Sequence, residues 1–497
     1  MIRRDFFYKP IEGYTGDFIP YYENGLYYLY FLYDHRNTGK FGEGTSWYLI
    51  TTKDFVHYQE HGEVLPHGDT FSQDLDCFTG SVTKIGDSYF LYYTGYNNHP
   101  EFCRQDTPLQ AVMLARSSDL IHWEKCPQTC FYPSDGIYEL YDWRDPYLFW
   151  NKEKQEYWML LAARVKEGPK RRRGCIGLCT SGDGLHWDIR KPFYAPGLYM
   201  THECPEVFCM GDWWYLIYSS FSERFVTHYR MARSPEGPWQ APGDDSIDGR
   251  AFYAGKTAGD GQKRYIFGWI PTKEHRNDYE NYEWAGNLIV HELVQNADGT
   301  LRVKIPDTVA AHFNQEIPVL WRERIGNWDA SAEEISSDAR DSYASIVTSG
   351  DLPLRCKIEA QFSFSAGTKG FGLILRSDAS MDTGYYIRWE PHMQRMVFDM
   401  WPRKEKRPEE QPWQICGDKP YFPELERMCP LDADRYYPVT VLLDDTMAAV
   451  YVDQHKVMSL RIYNIQNGKL GLFVSEGAAR FRNVKVSLPG KQKEVTV

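Results

Sequence analysis

Three acidic residues occur at nearly the same distance before an aromatic-rich stretch of the sequence. The pairs and their separations are Asp17 and Tyr27 (10 residues), Asp145 and Tyr157 (12), and Glu203 and Trp214 (11). Acidic side chains are rare near a protein core unless they have a task. When carboxylates are held close together, one pKa rises, and a general acid is then produced beside a nucleophile. Glycoside hydrolysis needs such a pair, so the spacing favours a glycosidase site.

The spacing alone is also compatible with three roles outside catalysis. Arg144 and Asp145 could form an ion pair, Asp17 could be a turn residue, and the three acids could bind a divalent metal. A zinc site is not expected, because Cys126/Cys130 and Cys175/Cys179 lack CxxC spacing and a His-x-x-x-His partner. His202-Glu203 also lacks the second histidine of HExxH. We expect no metal and no cofactor.

The elements that position these acids repeat along the first 300 residues. Five strand-like runs begin near Gly or Gln and are rich in Tyr, Trp and Leu, and their anchor residues are Tyr27, Tyr89, Tyr157, Trp214 and Tyr265. The intervals between the anchors are 62, 68, 57 and 51 residues. Such repeats are typical of β-propeller blades with loop insertions, and a large sandwich is the alternative. In a propeller the innermost strands line a funnel, and the three acids would face one another across it.

The repeat stops after Pro306, and the sequence predicts two domains. Residues 1–306 are predicted as a five-bladed β-propeller, 307–325 as a linker, and 326–497 as a β-sandwich. The chain is therefore predicted to be all-β. The alternating strands of the second domain include 357–364, 371–376, 439–443, 448–452, 470–474 and 481–486.

Composition narrows the class of protein further. A net charge of −12 argues against nucleic acid as a partner, and no apolar run is long enough to predict a membrane span. The N-terminus lacks the apolar segment of a signal peptide, and the 11 cysteines are an odd number, which favours reduced thiols. We therefore expect a cytoplasmic protein; a homo-oligomer is left open.

The motifs, taken together, resemble glycoside hydrolase family 32, the β-fructosidases that include invertases, inulinases and levanases. Arg144-Asp145-Pro146 matches the R-D-P motif of that family, and Glu203-Cys204-Pro205-Glu206 is similar to its E-C-P-D motif. Segments 78–81, 93–95, 252–257, 268–269 and 284–286 match further motifs in the family's order.

The resemblance implies a retaining hydrolase that releases fructose from β-fructofuranosides through a covalent fructosyl-enzyme. It assigns Asp17 as nucleophile, Glu203 as general acid/base and Asp145 as transition-state stabiliser. The residues that we expect to bind the sugar are Arg144, Trp47, Phe78, Thr79, Tyr253 and Trp284. Of these, Trp47, Phe78 and Trp284 are candidates for an aromatic sugar platform, with packing between blades as the alternative.

The sequence departs from the family pattern around Asp17. Where the family has W-M-N-D-P-N-G, this chain has Tyr14-Thr-Gly-Asp-Phe-Ile-Pro20, so Gly16 replaces an asparagine beside the nucleophile. This change, with the insertions 97–110 and 164–174, favours short fructo-oligosaccharides as substrates. An arabinofuranosidase and a glycan-binding propeller without catalysis are the alternatives. The basic run 170–173 is interpreted as a solvated loop, with a phosphorylated sugar or a partner subunit as the other possibility.

Overall fold

Short strands rich in aromatic and β-branched residues form most of the regular structure, as their alternation predicts. The computed structural model describes residues 2–4, 6–103, 108–133, 136–331, 333–401 and 424–490. Residues 104–107 of the predicted insertion 97–110 lie outside this description. The first compact unit comprises residues 1–272 and 283–308, and the second comprises 273–282 and 309–497.

The first unit contains five antiparallel blades. Blade 1 consists of β1 (Ile2–Arg4), β2 (Tyr14–Glu23), β3 (Leu26–Asp34), β4 (Trp47–Thr52) and β5 (His57–Leu65). Blade 2 consists of β6 (Asp76–Ile85), β7 (Ser88–Tyr96), β8 (Gln110–Ser117) and β9 (Glu124–Lys125). Blade 3 consists of β10 (Tyr138–Asn151), β11 (Glu156–Val165), β12 (Gly174–Ser181) and β13 (Asp188–Ile189).

Blades 4 and 5 complete the ring. Blade 4 consists of β14 (Glu203–Met210), β15 (Trp213–Ser220) and β16 (Val226–Ala232), and blade 5 of β17 (Tyr253–Gly259), β18 (Arg264–Lys273), β19 (Tyr282–Gln295) and β20 (Leu301–Lys304). The first strands contact one another in the cyclic order β2, β6, β10, β14, β17 and back to β2. Gly286 of β19 pairs with Thr15 of β2, which joins the last blade to the first. The predicted five-bladed propeller is thereby confirmed.

The second unit is the predicted β-sandwich, whose strands are linked in a 13-stranded hydrogen-bonded network. Its strands are β21 (Phe313–Ile317), β22 (Trp321–Ile325), β23 (Asp329–Ala330), β24 (Glu334–Asp351), β25 (Arg355–Phe364), β26 (Gly370–Ser377), β27 (Gly384–Glu390), β28 (Arg395–Trp401), β29 (Leu425–Met428), β30 (Tyr437–Asp444), β31 (Met447–Val452), β32 (Lys456–Arg461) and β33 (Lys469–Pro489). The helices in the described part of the chain are short: α1 (Thr38–Phe41), α2 (Pro100–Cys103) and α3 (Asp307–His312), with 3-10 turns at 127–129, 170–172, 274–276 and 391–393.

The segment predicted as a linker differs from the expectation. Residues 307–325 form α3, β21 and β22, and β21 pairs with the distant strand β33, with Phe313 opposite Pro489. This pairing satisfies the backbone of a stretch whose own sequence shows little alternation. In the described residues, no helix has the length and apolar character needed to cross a membrane.

Candidate active site

A β-bulge at the same height of all five innermost strands builds the site. The pairing of each first strand with the second strand of its blade shifts by one residue, between Thr15 and Phe18, Phe78 and Gly80, Arg144 and Tyr147, Glu203 and Glu206, and Tyr253 and Lys256. A bulge leaves an extra residue out of the ladder and turns its side chain. Asp17 and Asp145 lie within their bulges, and Glu203 directly precedes one, so all three acids are presented at one end of the funnel.

Asp17 is held by two side-chain donors from neighbouring blades. The Thr79 hydroxyl donates to its Oδ2 at 2.6 Å, and the Trp269 indole N–H donates to its Oδ1 at 2.9 Å. The Cys204 thiol lies 3.7 Å from Oδ2. Burial raises the pKa of Asp17, while the hydrogen bonds from Thr79 and Trp269 oppose that rise and favour the carboxylate. The arrangement fixes one carboxylate with both oxygens oriented.

Glu203 is held between an arginine and a tyrosine that occupy the corresponding strand position in the flanking blades. Arg144 Nη2 donates to its Oε1 at 3.0 Å, and the Tyr253 hydroxyl donates to its Oε2 at 2.6 Å. Burial raises the pKa of Glu203; Arg144 opposes this, and Asp145 adds to it. A carboxyl whose pKa is raised can stay protonated long enough to act as a general acid.

Asp145 is buried, with φ near +58°, a left-handed conformation that is uncommon outside glycine and that Cys204 and Ala254 also adopt at the same position of their bulges. The backbone N–H of Cys204 donates to its Oδ2 at 2.9 Å, and Arg144 Nε lies 4.0 Å from the same oxygen. Its own N–H donates to the Thr94 hydroxyl, which in turn donates to the carbonyl of Thr79. Burial raises the pKa of Asp145, and the Arg144 charge opposes that rise.

The predicted sugar-binding residues fall into two groups: three polar residues that contact the acids, and three aromatic candidates for a sugar platform. Arg144, Thr79 and Tyr253 contact the acids directly, and Phe78 is half-buried and stacks on Tyr96 at 5.1 Å between ring centroids. The prediction for Trp47 is wrong, because its ring is fully buried and its N–H donates to the carbonyl of Cys77. Its aromatic face therefore packs between blades and is not available to a sugar.

Trp284 is the most exposed of the three platform candidates, with 42% of its surface accessible. Its ring lies 6.5 Å from the ring of Trp269, which binds Asp17. Arg36 fixes the backbone beneath it by donating to the Trp284 carbonyl at 2.9 Å and to Glu283 at 2.7 Å. The exposed ring of Trp284 is therefore connected to Asp17 through a single intervening residue, Trp269.

Sequence reasoning missed three residues of this cluster: Trp269, Cys204 and Lys256. Trp269 and Cys204 stand inside the motif segments, but their hydrogen bonds to Asp17 and Asp145 depend on the folded geometry. Lys256 is almost completely buried, and its ammonium group has no hydrogen-bond partner among the described residues. Its charge lowers the pKa of Asp145 and of the buried Glu206, so it partly compensates the acids. The sequence signal that could have identified Lys256 is a single charged residue within the short, mostly apolar stretch 253–259.

The described residues contain no group of three or more His, Cys, Asp or Glu side chains arranged for a metal ion. Two carboxyls with different hydrogen-bond donors, and a third beside an arginine, provide the groups that acid–base and nucleophilic chemistry at a glycosidic bond requires. A five-bladed propeller with this funnel site and a following β-sandwich defines a glycoside hydrolase. The comparisons give the family: residues 10–304 match the glycosyl hydrolases family 32 N-terminal domain, and the chain belongs to that family.

Two relatives in sequence are consistent with membership of family 32. The chain is 26% identical over 317 residues to the sucrose-6-phosphate hydrolase of Escherichia coli, a match that spans 60% of this chain and 63% of that enzyme, just under two thirds. It is 24% identical over 502 residues to the levanbiose-producing levanase of Bacillus subtilis (strain 168), covering 94% of this chain and 87% of that one.

Solved structures show the same fold. The sucrose-6-phosphate hydrolase from Lactobacillus gasseri superposes with a TM-score of 0.73 at 17% identity, over 98% of this chain and 93% of that one. The exo-inulinase from Aspergillus awamori gives a TM-score of 0.70 at 16% identity, over 98% of both chains. The similarity extends through the propeller and the sandwich.

Proposed function

We propose that this protein is a retaining β-fructofuranosidase that releases fructose from short fructo-oligosaccharides. The observation that carries the proposal is the convergence of Asp17, Asp145 and Glu203 at the bulges of blades 1, 3 and 4. Membership of family 32 and relatives named as sucrose-6-phosphate hydrolases and levanases support the same activity.

In the first step Asp17 attacks the anomeric carbon of the fructosyl unit, and Glu203 protonates the departing oxygen. The bonds from Thr79 and Trp269 support Asp17 as the nucleophile, because they hold the carboxylate in one rotamer and favour its ionised form. The raised pKa of Glu203 supports its role as the acid.

In the second step water attacks the fructosyl-enzyme, and Glu203, now ionised, accepts its proton. Arg144 and Tyr253 donate to the two oxygens of Glu203, so they stabilise its anion after the leaving group departs. Two displacements at one carbon retain its configuration. Asp145 takes the role of stabilising the oxocarbenium-like transition state through the sugar hydroxyls.

The test is a panel of fructosides and arabinofuranosides, with released monosaccharide measured by chromatography. Fructose release supports the proposal, arabinose release supports the arabinofuranosidase alternative, and no release from any sugar supports a binding module. Sucrose and sucrose-6-phosphate belong in the panel as a pair, because the basic run 170–173 lies in the loop between β11 and β12. Faster turnover of sucrose-6-phosphate than of sucrose would indicate that the basic loop binds the phosphate group of the substrate.

Substrate length needs its own comparison. We propose di- and trisaccharides because Gly16 replaces an amide that could bind sugar, and because the loop at 164–174 adds residues at the end of blade 3 that carries the acids. Faster turnover per unit mass on long inulin or levan would contradict this. A cytoplasmic location, which would suit such substrates, stays a prediction.

A further inference from the structure

Of the large apolar side chains exposed on blades 3 and 4, five lie on three segments: the irregular start of β10, the loop before β14 and the loop after β15. Their exposed fractions are 71% for Tyr141, 40% for Leu140, 37% for Leu198, 39% for Met200 and 44% for Phe221. We call this set the apolar rim. Exposed apolar residues are common singly, but several on adjoining loops indicate a binding surface.

Hydrogen bonds tie these three loops together. Arg164 donates through Nη1 to the carbonyl of Met200 at 3.0 Å and through Nε to Glu139, the neighbour of Leu140, at 3.0 Å. The N–H of Met200 donates to the Ser222 hydroxyl, the neighbour of Phe221, at 3.2 Å. The rim residues are therefore carried by one connected group of loops.

Local backbone irregularity accounts for the exposure of Leu140 and Tyr141. Tyr138 pairs with Val165 and Trp143 with Ala163, so the residues between Tyr138 and Trp143 are too many for the ladder and are extruded from it. An extruded segment beside water would ordinarily be polar. The apolar side chains of Leu140 and Tyr141 in this extruded segment therefore favour a surface that binds an apolar group.

The rim residues stand close in sequence and strand register to the strand ends that carry Arg144 and Glu203. Met200 precedes Glu203 by three residues, Tyr141 precedes Arg144 by three, and Phe221 follows Ser219, the register partner of Glu203, by two. None of the rim loops belongs to blade 1, which carries Asp17. A general acid must contact the oxygen of the leaving group, so the leaving group lies on the side of Glu203.

We propose that the apolar rim binds an apolar portion of the leaving group or of an acceptor alcohol, so that this enzyme transfers fructosyl units preferentially to apolar alcohols. This inference rests on the proposed function. In the transfer, the oxygen of the alcohol forms a bond to the anomeric carbon as the ester bond to Asp17 breaks. The proton of the alcohol passes to Glu203, and the products are an alkyl fructoside and free enzyme.

The experiment supplies sucrose or 1-kestose as donor, with methanol or 1-butanol at equal concentration as acceptor. Each methylene group buried on binding is worth about 3–4-fold, so 1-butanol, which has three more methylene groups than methanol, should exceed it by about 30–60-fold in the ratio of alkyl fructoside to fructose. Tyr141→Ser and Met200→Gln should each reduce this preference, and the double variant should reduce it to less than about threefold. The ratio is internal to each variant, so a change in overall rate does not affect it.

Ile11→Ser is the matched control, since Ile11 is exposed and apolar but lies before β2 in blade 1. It should keep the wild-type preference, and thermal unfolding checks that every variant is folded. If alcohols give too little product, kcat/KM for butyl against methyl β-fructofuranoside provides the same comparison. Equal use of both alcohols and both fructosides, or loss of preference in Ile11→Ser as well, would overturn the inference.

A second copy of the chain is the rival occupant of the rim. Light scattering of the wild type and of Met200→Gln tests it: a dimer that the substitution converts to a monomer would make the rim a subunit interface and overturn the inference. Fructose release without an alcohol preference would defeat only this inference. Absence of fructose release from every donor would defeat the proposed function itself.

Discussion

The indole ring of Trp284 lies directly against the backbone of Gly16, the residue before Asp17. A Cβ atom at Gly16 would come within 2.5 Å of the Trp284 ring atom Cζ2. Real Cβ atoms do not approach this closely, so the ring and any side chain at position 16 exclude each other. The loss of the asparagine found in the family motif is therefore coupled to the position of Trp284.

Gly16→Ala should displace Trp284. Overpacking costs about 1–3 kcal/mol, and the exposed edge of the ring gives it room to move, so we expect the smaller end of that range in thermal or urea unfolding. If Trp284 is a sugar platform, KM for fructosides should rise severalfold. Gly182→Ala is the control, because nothing lies within 4 Å of a Cβ built there. Unchanged KM with a lower Tm would leave Trp284 as a packing residue.

Substitution of the three acids separates their roles. Asp17→Asn should abolish turnover of every fructoside, since no other group can form the fructosyl-enzyme. Glu203→Gln should lose about 10²–10⁴-fold with natural substrates, less with an activated aryl leaving group, and recover turnover with azide. Asp145→Asn should be slow with all leaving groups and without azide rescue. Kinetics with and without azide check this prediction. Azide rescue of Asp17→Asn but not of Glu203→Gln would mean that Glu203 is the nucleophile and Asp17 the general acid/base.

The pH profile should report the hydrogen bonds of Asp17 and Glu203 separately. The Thr79 bond lowers the pKa of Asp17, so Thr79→Val should move the acid limb of kcat/KM to higher pH, while Thr79→Ser keeps the donor and the limb. The Tyr253 bond lowers the pKa of Glu203, so Tyr253→Phe should move the alkaline limb to higher pH. A shift of the opposite limb in either variant would mean that the two carboxyls have been assigned in the wrong order.

His202 should make the protein sensitive to acid. Burial lowers its pKa to about 3, and neither ring nitrogen has a hydrogen-bond partner among the described residues. A group with a lowered histidine pKa stabilises the fold fully above about pH 6.5, and that contribution is lost as the pH falls toward 3. Between pH 7 and 5 the loss is about 2 kcal/mol for this group alone.

His202→Phe should remove that part of the acid sensitivity, because a phenyl ring suits a site formed by Tyr194, Tyr199 and Tyr218. Urea unfolding at pH 7 and pH 5 measures it. His392→Gln, at an exposed position, should keep the wild-type pH dependence. An equal loss of stability with pH in His202→Phe and wild type would show that this histidine does not control it.

Repetition along the chain was enough to predict the propeller, because each blade buries its own aromatic strands and the pattern is local. The turns with a Thr- or Ser-x-Asp-x-x-His sequence illustrate this, since Asp54, Asp119 and Asp183 each accept the N–H of the histidine three residues later. The order of short motifs was likewise enough to predict the family. Both patterns can be recognised without knowing which distant residues meet.

Contacts between distant residues were decided only by the tertiary structure. Trp47 is an aromatic residue at a strand end, as an exposed sugar platform would be, and only the closing of blade 2 over it makes it a core residue. The stretch 307–325 has weak alternation and folds because β33 supplies a partner some 170 residues away.

The acids themselves could be named from the sequence, but their chemistry could not. A carboxyl pKa depends on burial and on donors within a few ångströms, and those of Asp17 and Glu203 come from three other blades. The contact of Gly16 with Trp284 joins residues 268 positions apart. Local sequence determines which residue types stand on each strand; the closing of the ring decides which of them touch, because only there do five separate strands share one axis.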